Sequence, residues 1–557
     1  MISGMNQGYS ERIHVTNHNS EWRNCIHAVP SQRVTTQEIT RSKVIGQATN
    51  PFIRAAEDFM PYQGLECRYV TIPVHTDVTP EITRSKVIGQ PINPFIGIAE
   101  DFVSFIGRYS DYFTVSTRSV ATQAEQYLCG LMQSDKRNME RMAEVVPDSD
   151  GQSFQNFISN SPWNVRAILN QVGMDVDSLF GGDPDTCLII DETSFIKKGR
   201  KSVCVARQWC GRLGKVENCQ VGVFAALACR SHVTLTDTRL YLPKVWIDDP
   251  ERCRDAGVPE EFIVYQKKSE QALDMIKQAR INGIRFNWVG VDGGYGKEPD
   301  FLRALDSIGE IFMADVHKNQ RIYLENPEPT IPEPKSNRGR KPTKLKAQTD
   351  PIRVDKWAAR QPEDAWQMVP IRESTRGTLY VYILQERVCV WDGEEEEAHC
   401  WHLIVRRKID SPKEIKYSLS NAPEETSIER LAFIQGQRFW VERALQDAKS
   451  ECGLAEYQVR GWNGWHHHMT LVMMAMLFML ERRLSNKDEY PLLSCSDIQT
   501  LLKHFLPRRD VTVEEVLRQM EVRHRKRQSS IDSARRKQKK KKKKKKKKRN
   551  GHEDLRS

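Results

Sequence analysis

Short continuous apolar runs alternate with stretches of helical periodicity along the middle of the chain. "DTCLIIDETSFIKKG" (185–199) opens with a buried strand that ends in a carboxylate, Asp191. "SVCVARQWCG" and "CQVGVFAALACR" follow around the polar turn "GRLGKVEN", the pattern of an antiparallel meander. "SEQALDMIKQARING" has the spacing of an amphipathic helix. It leads into "RFNWVGVDGGYG" (285–296), a second buried strand that ends in an acid, Asp292, and a glycine turn. "PDFLRALDSIG" predicts a helix and "IFMADVHK" another strand. Strands followed by helix–strand alternation predict an α/β domain on a mixed sheet.

The flanks read differently. "TQAEQYLCGLMQSDKRNMERMAEVV" and "SFQNFISNSPWNVRAILNQVG" carry apolar residues at helical spacing, with Pro162 able to sit at a helix start. They predict a compact helical module ahead of the sheet. "ENPEPTIPEPKSNRGRKPTKLKAQ" (325–348) is Pro-rich and then basic, a linker or exposed loop. "AWQMVPIRE", "TLYVYILQERVCVW" and "HCWHLIVRRK" read as a β-rich insertion that returns to the main sheet at "KYSLSN". "LVMMAMLFML" (471–480) is about half the length a bilayer demands and predicts a buried helix.

"QRFWVERALQDAKSECG" (437–453) predicts a helix with its charges unusually placed. At about 100° per residue, with Arg438 at zero, Glu442 falls near 40° and Lys449 near 20°. The apolar stripe of Val441, Leu445, Ala448 and Cys452 spans roughly 280° to 340°. Arg438, Glu442 and Lys449 therefore border the buried face, while Arg443, Asp447 and Glu451 face solvent on the same ruler.

Charge changes the picture at the C-terminus. The net charge is +11, but residues 523–549 hold 18 Lys/Arg against one acid, Asp532, so the remainder is net −6. A mildly acidic body with a polycationic tail predicts self-repulsion, disorder and sequence-independent binding to polyanions. The 13 cysteines lack CxxC spacing, which favours reduced thiols in a cytosolic compartment, and the N-terminus lacks the apolar core of a secretory signal. "HCWH" (399–402) has no second ligand cluster to make it a metal site. "EITRSKVIGQATNPFIRAAEDF" (38–59) recurs as "EITRSKVIGQPINPFIGIAEDF" (81–102), a duplicated fragment rather than a solenoid.

Asp191 and Asp292 at strand ends and Glu442 at a helix margin form an ordered trio of acids. The crevice at strand ends is where α/β folds bind ligands. Three converging carboxylates cannot all stay ionised without a cation, and they are hard oxygen ligands suited to Mg²⁺ or Mn²⁺.

"LIIDETSFIKKG", "GVDGGYG", "KYSLSNAP" and "QRFWVERALQDAKSECG…YQVRGWNGWHHHMTL" resemble the DDE transposases of bacterial insertion sequences, most closely the insertion-sequence 701 group of the insertion-sequence 4 superfamily. The resemblance covers roughly 104–485. That superfamily carries Tyr, two residues, Arg, three residues, Glu, six residues, Lys. Arg438, Glu442 and Lys449 match it, and Gln435 stands where the Tyr would be.

The resemblance implies an RNase H-like mixed-sheet catalytic core interrupted by a β-rich insertion and preceded by a helical N-terminal domain. It implies Asp191, Asp292 and Glu442 as a catalytic, metal-binding triad holding two ions of Mg²⁺ or Mn²⁺. It implies Arg438 and Lys449 as contacts to DNA phosphates, with Lys197, Lys198 and Arg200 beside them. The implied reaction is metal-dependent cleavage of double-stranded DNA at insertion-sequence ends, then joining of the 3′-OH ends to target DNA. A homodimer on paired ends, a cytoplasmic, nucleoid-associated bacterial protein and no membrane association follow as expectations. The alternatives are a catalytically inactive or domesticated DNA-binding descendant, and a general nuclease on the same fold.

The expected organisation is an N-terminal region over 1–103, partly disordered; a helical DNA-binding domain over 104–182; the first part of the core over 183–325; the β-rich insertion with its basic loop over 326–415; the second part of the core, with the glutamate helix, over 416–485; a C-terminal helical region over 486–528; and a disordered polybasic tail over 529–557.

Overall fold

A computed structural model describes residues 95–334, 341–374 and 377–553, with side chains to residue 540. The first copy of the duplicated fragment, most of the second, and part of the basic loop after residue 334 lie outside the described residues.

The chain enters through α1 (Ile98–Gly107), which begins inside the second copy of the fragment and runs across the expected boundary at 103. It is held there because Ile98, Phe102 and Phe105 face the core, Phe102 packing edge-on against Phe478 at 4.9 Å. Four helices follow: α2 (Ala121–Gln133), α3 (Met139–Val145), α4 (Gly151–Ser159) and α5 (Val165–Phe180). Asn138, Asp150 and Asn164 cap the last three, each side chain accepting a first-turn amide. Asn164 sets the start of α5, so Pro162 lies before that helix rather than at its first position.

The sheet has ten strands. In chain order they are β1 (Thr186–Ile196), β2 (Ala206–Cys210), β3 (Lys215–Cys229), β4 (His232–Leu240), β5 (Trp288–Val291), β6 (Phe312–Val316), β7 (Gln367–Ser374), β8 (Gly377–Val390), β9 (His399–Lys408) and β10 (Ile415–Ser420). The central order is β4-β3-β1-β5-β6, with β1–β5 and β5–β6 parallel and the remaining pairs antiparallel. Numbered within the core alone, that is 3-2-1-4-5, the order of an RNase H-like core. Helices α6 (Lys268–Ile281) and α7 (Pro299–Ser307) precede β5 and β6, supplying the crossovers that parallel pairs require.

β10 pairs antiparallel with β6, and β9, β8 and β7 follow outward, so the expected β-rich insertion extends the core sheet as one continuous surface. The segment read as one helix at 437–453 is the second of two consecutive helices, α8 (Ile428–Gln437) and α9 (Phe439–Ser450), which meet at Arg438. Asp447, placed on the solvent face by periodicity, is buried and paired with Arg443 at 3.0 Å. That pair neutralises a charge the helical ruler could only place, not partner.

α10 (Trp462–Ser485) runs through the centre, buried from Met469 to Leu480. It packs on α4, α5 and β4, which joins the helical module and the sheet in one hydrophobic core. No described helix is long and apolar enough to cross a membrane. The chain ends in α11 (Cys495–Phe505) and α12 (Val513–Glu553). α12 is tied to α3 by Arg523 on Glu144, with two contacts of 2.9 Å, and by Lys526 on Glu140. Its backbone is helical through Glu553. Lys, Arg and Gln have high helix propensity, and no glycine or proline interrupts 513–550.

Candidate active site

β1 continues five residues beyond Asp191, because Glu192–Ile196 pair with Cys219–Val223 of the long strand β3. Asp191 is therefore mid-strand. What ends there is the parallel pairing with β5, whose last pair is Ile190 with Val291. The next residue on each strand is an acid, Asp191 and Asp292, so two carboxylates meet where the sheet opens. Asp191 Oδ1 accepts from the Glu192 amide at 2.7 Å. Asp292 leaves the strand as a helix cap, its Oδ1 accepting from Gly294 N at 2.9 Å and Tyr295 N at 3.4 Å.

The turn after Asp292 is forced by a close approach. A Cβ on Gly296 would stand 2.0 Å from the backbone carbonyl of Asp315 on β6. Gly296→Ala should therefore displace β6 or the turn and cost about 1–3 kcal/mol, the usual range for overpacking. Chemical denaturation checks this; a midpoint equal to wild type would refute it.

Glu442 approaches from α9. Its Oε1 accepts from Arg438 at 2.6 Å, and the same guanidinium lies 3.5 Å from Asp191 Oδ2 and 3.0 Å from Asp315 Oδ2. Arg438 thus spans one acid on α9, one on β1 and one on β6. Burial opposes its charge, and Asp315, Glu442, Asp191 and Asp292 together outweigh burial and hold its pKa above the ordinary value. The acids respond in turn. Burial and then the charge of Asp292 push Asp191 up to about 7, with Arg438 pulling the other way. Glu442 differs in accessibility: its side chain is 54% exposed against 15% for Asp191.

Asp315 was not singled out by the sequence, although "MADV" places a lone acid in an otherwise apolar strand. Its Oδ1 accepts from Ser418 Oγ at 2.7 Å, and Ser418 Oγ accepts from Gln435 Nε2 at 2.8 Å. Gln435, in the position of the superfamily's aromatic, is buried and holds the far end of this chain of bonds. The direction is fixed from amide to hydroxyl to carboxylate, which leaves both oxygens of Asp315 as acceptors and one of them for Arg438.

Lys449 lies on the same side. Its Nζ donates to Thr193 Oγ1 at 2.7 Å, and Thr193 is two residues from Asp191 on one face of β1. Burial, then the charge of Arg212, lowers its pKa. Lys197 lies further along the strand, its ammonium 3.5 Å from the centre of the Tyr457 ring, with burial lowering its pKa to about 8. Lys198 and Lys197 line an open cleft of about 380 Å³ with Lys201, Arg460 and Lys537 of α12. Arg200 contributes a backbone carbonyl that accepts from Arg252 at 2.9 Å. Among the described residues, the three acids whose oxygens lie within 4.8 Å of one another are Asp300, Asp392 and Glu394, exposed and tied together by Arg303. The oxygens of Asp191, Asp292 and Glu442 are more widely set, with Arg438 between two of them.

The three histidines of "GWHHHM" serve packing. His466 Nδ1 bonds Trp462 O at 3.0 Å, and His467 Nδ1 bonds Ile158 O at 2.9 Å while stacking on Trp163. His468 joins Tyr127 Oη and Gly453 O at 3.0 and 3.1 Å.

Residues 108–378 match the family profile described as DDE superfamily endonuclease. The chain carries a DDE-superfamily endonuclease domain. The matched span includes Asp191, Asp292 and Asp315 and ends before the helix of Glu442. The chain is also 24% identical over 325 residues to the probable transposase for insertion sequence element IS701 of Microchaete diplosiphon, covering 58% of this chain and 73% of that protein. The resemblance to DDE transposases of the insertion-sequence 701 group stands on both findings. The mixed sheet places Asp191 and Asp292, both inside the matched span, at the ends of the pairing between two adjacent central strands.

Proposed function

We propose that this protein is a transposase that binds insertion-sequence ends, cleaves DNA and joins the resulting 3′-OH ends to target DNA. The observation that carries this reading is the meeting of Asp191 and Asp292 where β1 and β5 part, with Glu442 linked to Asp191 through Arg438.

The donor set fits a divalent cation. Asp191 is largely desolvated beside a second carboxylate and resists ionisation, and the nearest positive charge, Arg438, already serves Asp315. Asp191, Asp292 and Glu442 would hold one or two ions of Mg²⁺ or Mn²⁺, for which hard oxygen ligands are suited. When bound, such ions supply the charge that stabilises the attacking and leaving oxygens of an in-line phosphodiester displacement. Glu442 has the freedom to turn from Arg438 toward the two aspartates. Arg438, anchored through Nε on Asp315, then presents its remaining N–H groups to a DNA phosphate as a bidentate donor. Lys449 adds a second phosphate contact on the other side of Asp191. The cleft of Lys197, Lys198, Lys201, Arg460 and Lys537, with Arg200 at its edge, carries the DNA backbone away from the site. Two copies on paired ends would complete the assembly.

The deciding experiment is a strand-transfer assay with paired insertion-sequence ends and Mg²⁺. Joined product is expected. Nicks without joining would make the protein a nuclease, and binding without cleavage would make it an inactive descendant; either result overturns the reading.

A further inference from the structure

Arg406 and Lys416 stand directly opposite each other on β9 and β10. Like charges in opposed ladder positions are destabilising. Neither group has a carboxylate within 4.0 Å among the described residues. Alternation along the strands puts both on the face that carries Ser418 and Asp315, the face covered by α8 and α9. Asp315 is the acid they share, and its two oxygens are already engaged by Ser418 and Arg438. Arg406 and Lys416 both lie in the field of Arg438. Arg372 on β7 belongs to the same field, its guanidinium 3.9 Å from the centre of the Phe439 ring on α9.

Four cations, Arg372, Arg406, Lys416 and Arg438, therefore converge beside the acid trio with one further acid, Asp315, among them. Lys416 is exposed and Arg406 half-buried, so an outside anion can reach them. Among the described residues, Asp315 and, for Lys416, Glu442 are the acids that act on the pair, and both are already bonded to Arg438. An anion with charges repeated along a line would relieve the repulsion, and a nucleic-acid backbone passing Arg438 supplies such a line. We propose that Arg406 and Lys416 form a second subsite for DNA backbone phosphates on the sheet extension, adjoining the phosphate contact of Arg438. This rests on the reading of the protein as a DNA-cutting enzyme. The subsite reads charge and not sequence, because a row of cations contacts phosphates without touching base edges.

The test uses the full chain, EDTA and a 40-base-pair duplex of random sequence, with affinity measured by fluorescence anisotropy from about 50 to 200 mM salt. Lys416→Ala and Arg406→Gln should each weaken binding about three- to tenfold at the higher salt. Each should flatten the slope of log K against log salt by about 0.9, the value for one lost phosphate contact on B-DNA. Lys413→Ala, a neighbouring exposed lysine in the β9–β10 turn, should leave the slope unchanged. A thermal melt reports whether Arg406→Gln folds; Lys416→Ala, at an exposed position, carries the test by itself. If the wild type binds and Lys416→Ala keeps its slope, or if Lys413→Ala changes it equally, the subsite is wrong and the transposase reading survives. If the wild type does not bind the duplex at the lowest salt, both fall together.

Discussion

Asp191→Asn should abolish DNA cleavage and at the same time make the metal-free protein more stable. The two effects share one cause. Asp191 is buried against Asp292, and its pKa rises from 3.8 to about 7. The folded state therefore binds a proton between those values that the unfolded chain has released. Stability is unaffected below about pH 4, declines as pH rises, and the full cost is present once pH exceeds the folded pKa. Three units correspond to roughly 4 kcal/mol as an upper estimate. Asn removes the charge and with it that cost, so the melting temperature at pH 8 in EDTA should rise by a few degrees. Wild-type protein should gain stability when Mg²⁺ or Mn²⁺ is added; Asp191→Asn should gain little, having lost a ligand. Cleavage should fall by at least about 10²–10³-fold, the scale for removing one preorganised charge-stabilising group. Glu442→Gln should lose cleavage to a similar extent without the thermal gain, because its side chain is half exposed and burial costs it little. A differential scanning experiment beside a nicking assay checks both variants. Cleavage by Asp191→Asn within tenfold of wild type would remove the residue from the site.

Asp191 and Asp292 were legible because they interrupt runs of residues that leave no other reading than buried strand, although the strand of Asp191 continues past it. The signature spacing then drew Arg438, Glu442 and Lys449 together. Three features were not legible. Asp315 sits in a strand whose partner β10 is about 100 residues away in sequence, and only the β10–β6 pairing reveals that Ser418 faces it. Gln435 reads in one dimension as a missing aromatic. In the fold it is the amide that orients Ser418, so the change of residue type is accommodated by a polar network rather than left as a gap. The opposition of Arg406 and Lys416 depends on hairpin register, which composition does not encode. Asp447 failed for the converse reason: periodicity placed it correctly relative to its neighbours, but the burial of that flank follows from what packs against α9.

The second large effect should appear on acidification, and it opposes the first. His467 and His468 are buried on α10 and His466 is half-buried beside them, and desolvation is the leading cause that lowers their pKa values from 6.5 to about 4, 4 and 3. The bonds they make identify the neutral form. His468 Nε2 faces the carbonyl of Gly453 and so carries the proton, which leaves Nδ1 to accept from Tyr127 Oη. Protonating Nδ1 would force the Tyr127 hydroxyl to turn from donor to acceptor. Below pH 6.5 the unfolded chain takes up protons that the folded state refuses. The stability these residues contribute is complete above that pH and is lost as pH falls toward 4. At pH 5 each costs about 2 kcal/mol, or about 6 for the three, which is comparable with the total stability of many proteins. Asp191 works in the other direction over the same range and returns about 3 kcal/mol at pH 5. The net is still a loss. Because His467 and His468 bond Ile158 and Tyr127, that loss falls on the junction between the helical module and α10. Urea midpoints followed by tryptophan fluorescence should drop steadily from pH 7.5 to pH 5. The paired change His467→Gln and His468→Gln keeps amide donors without a titrating ring and should flatten that dependence. Asp191→Asn, which strips out the opposing contribution, should steepen it. A wild-type midpoint constant across that range, or an unaltered slope in the glutamine variant, would show that the histidines are not what ties the two parts together at neutral pH.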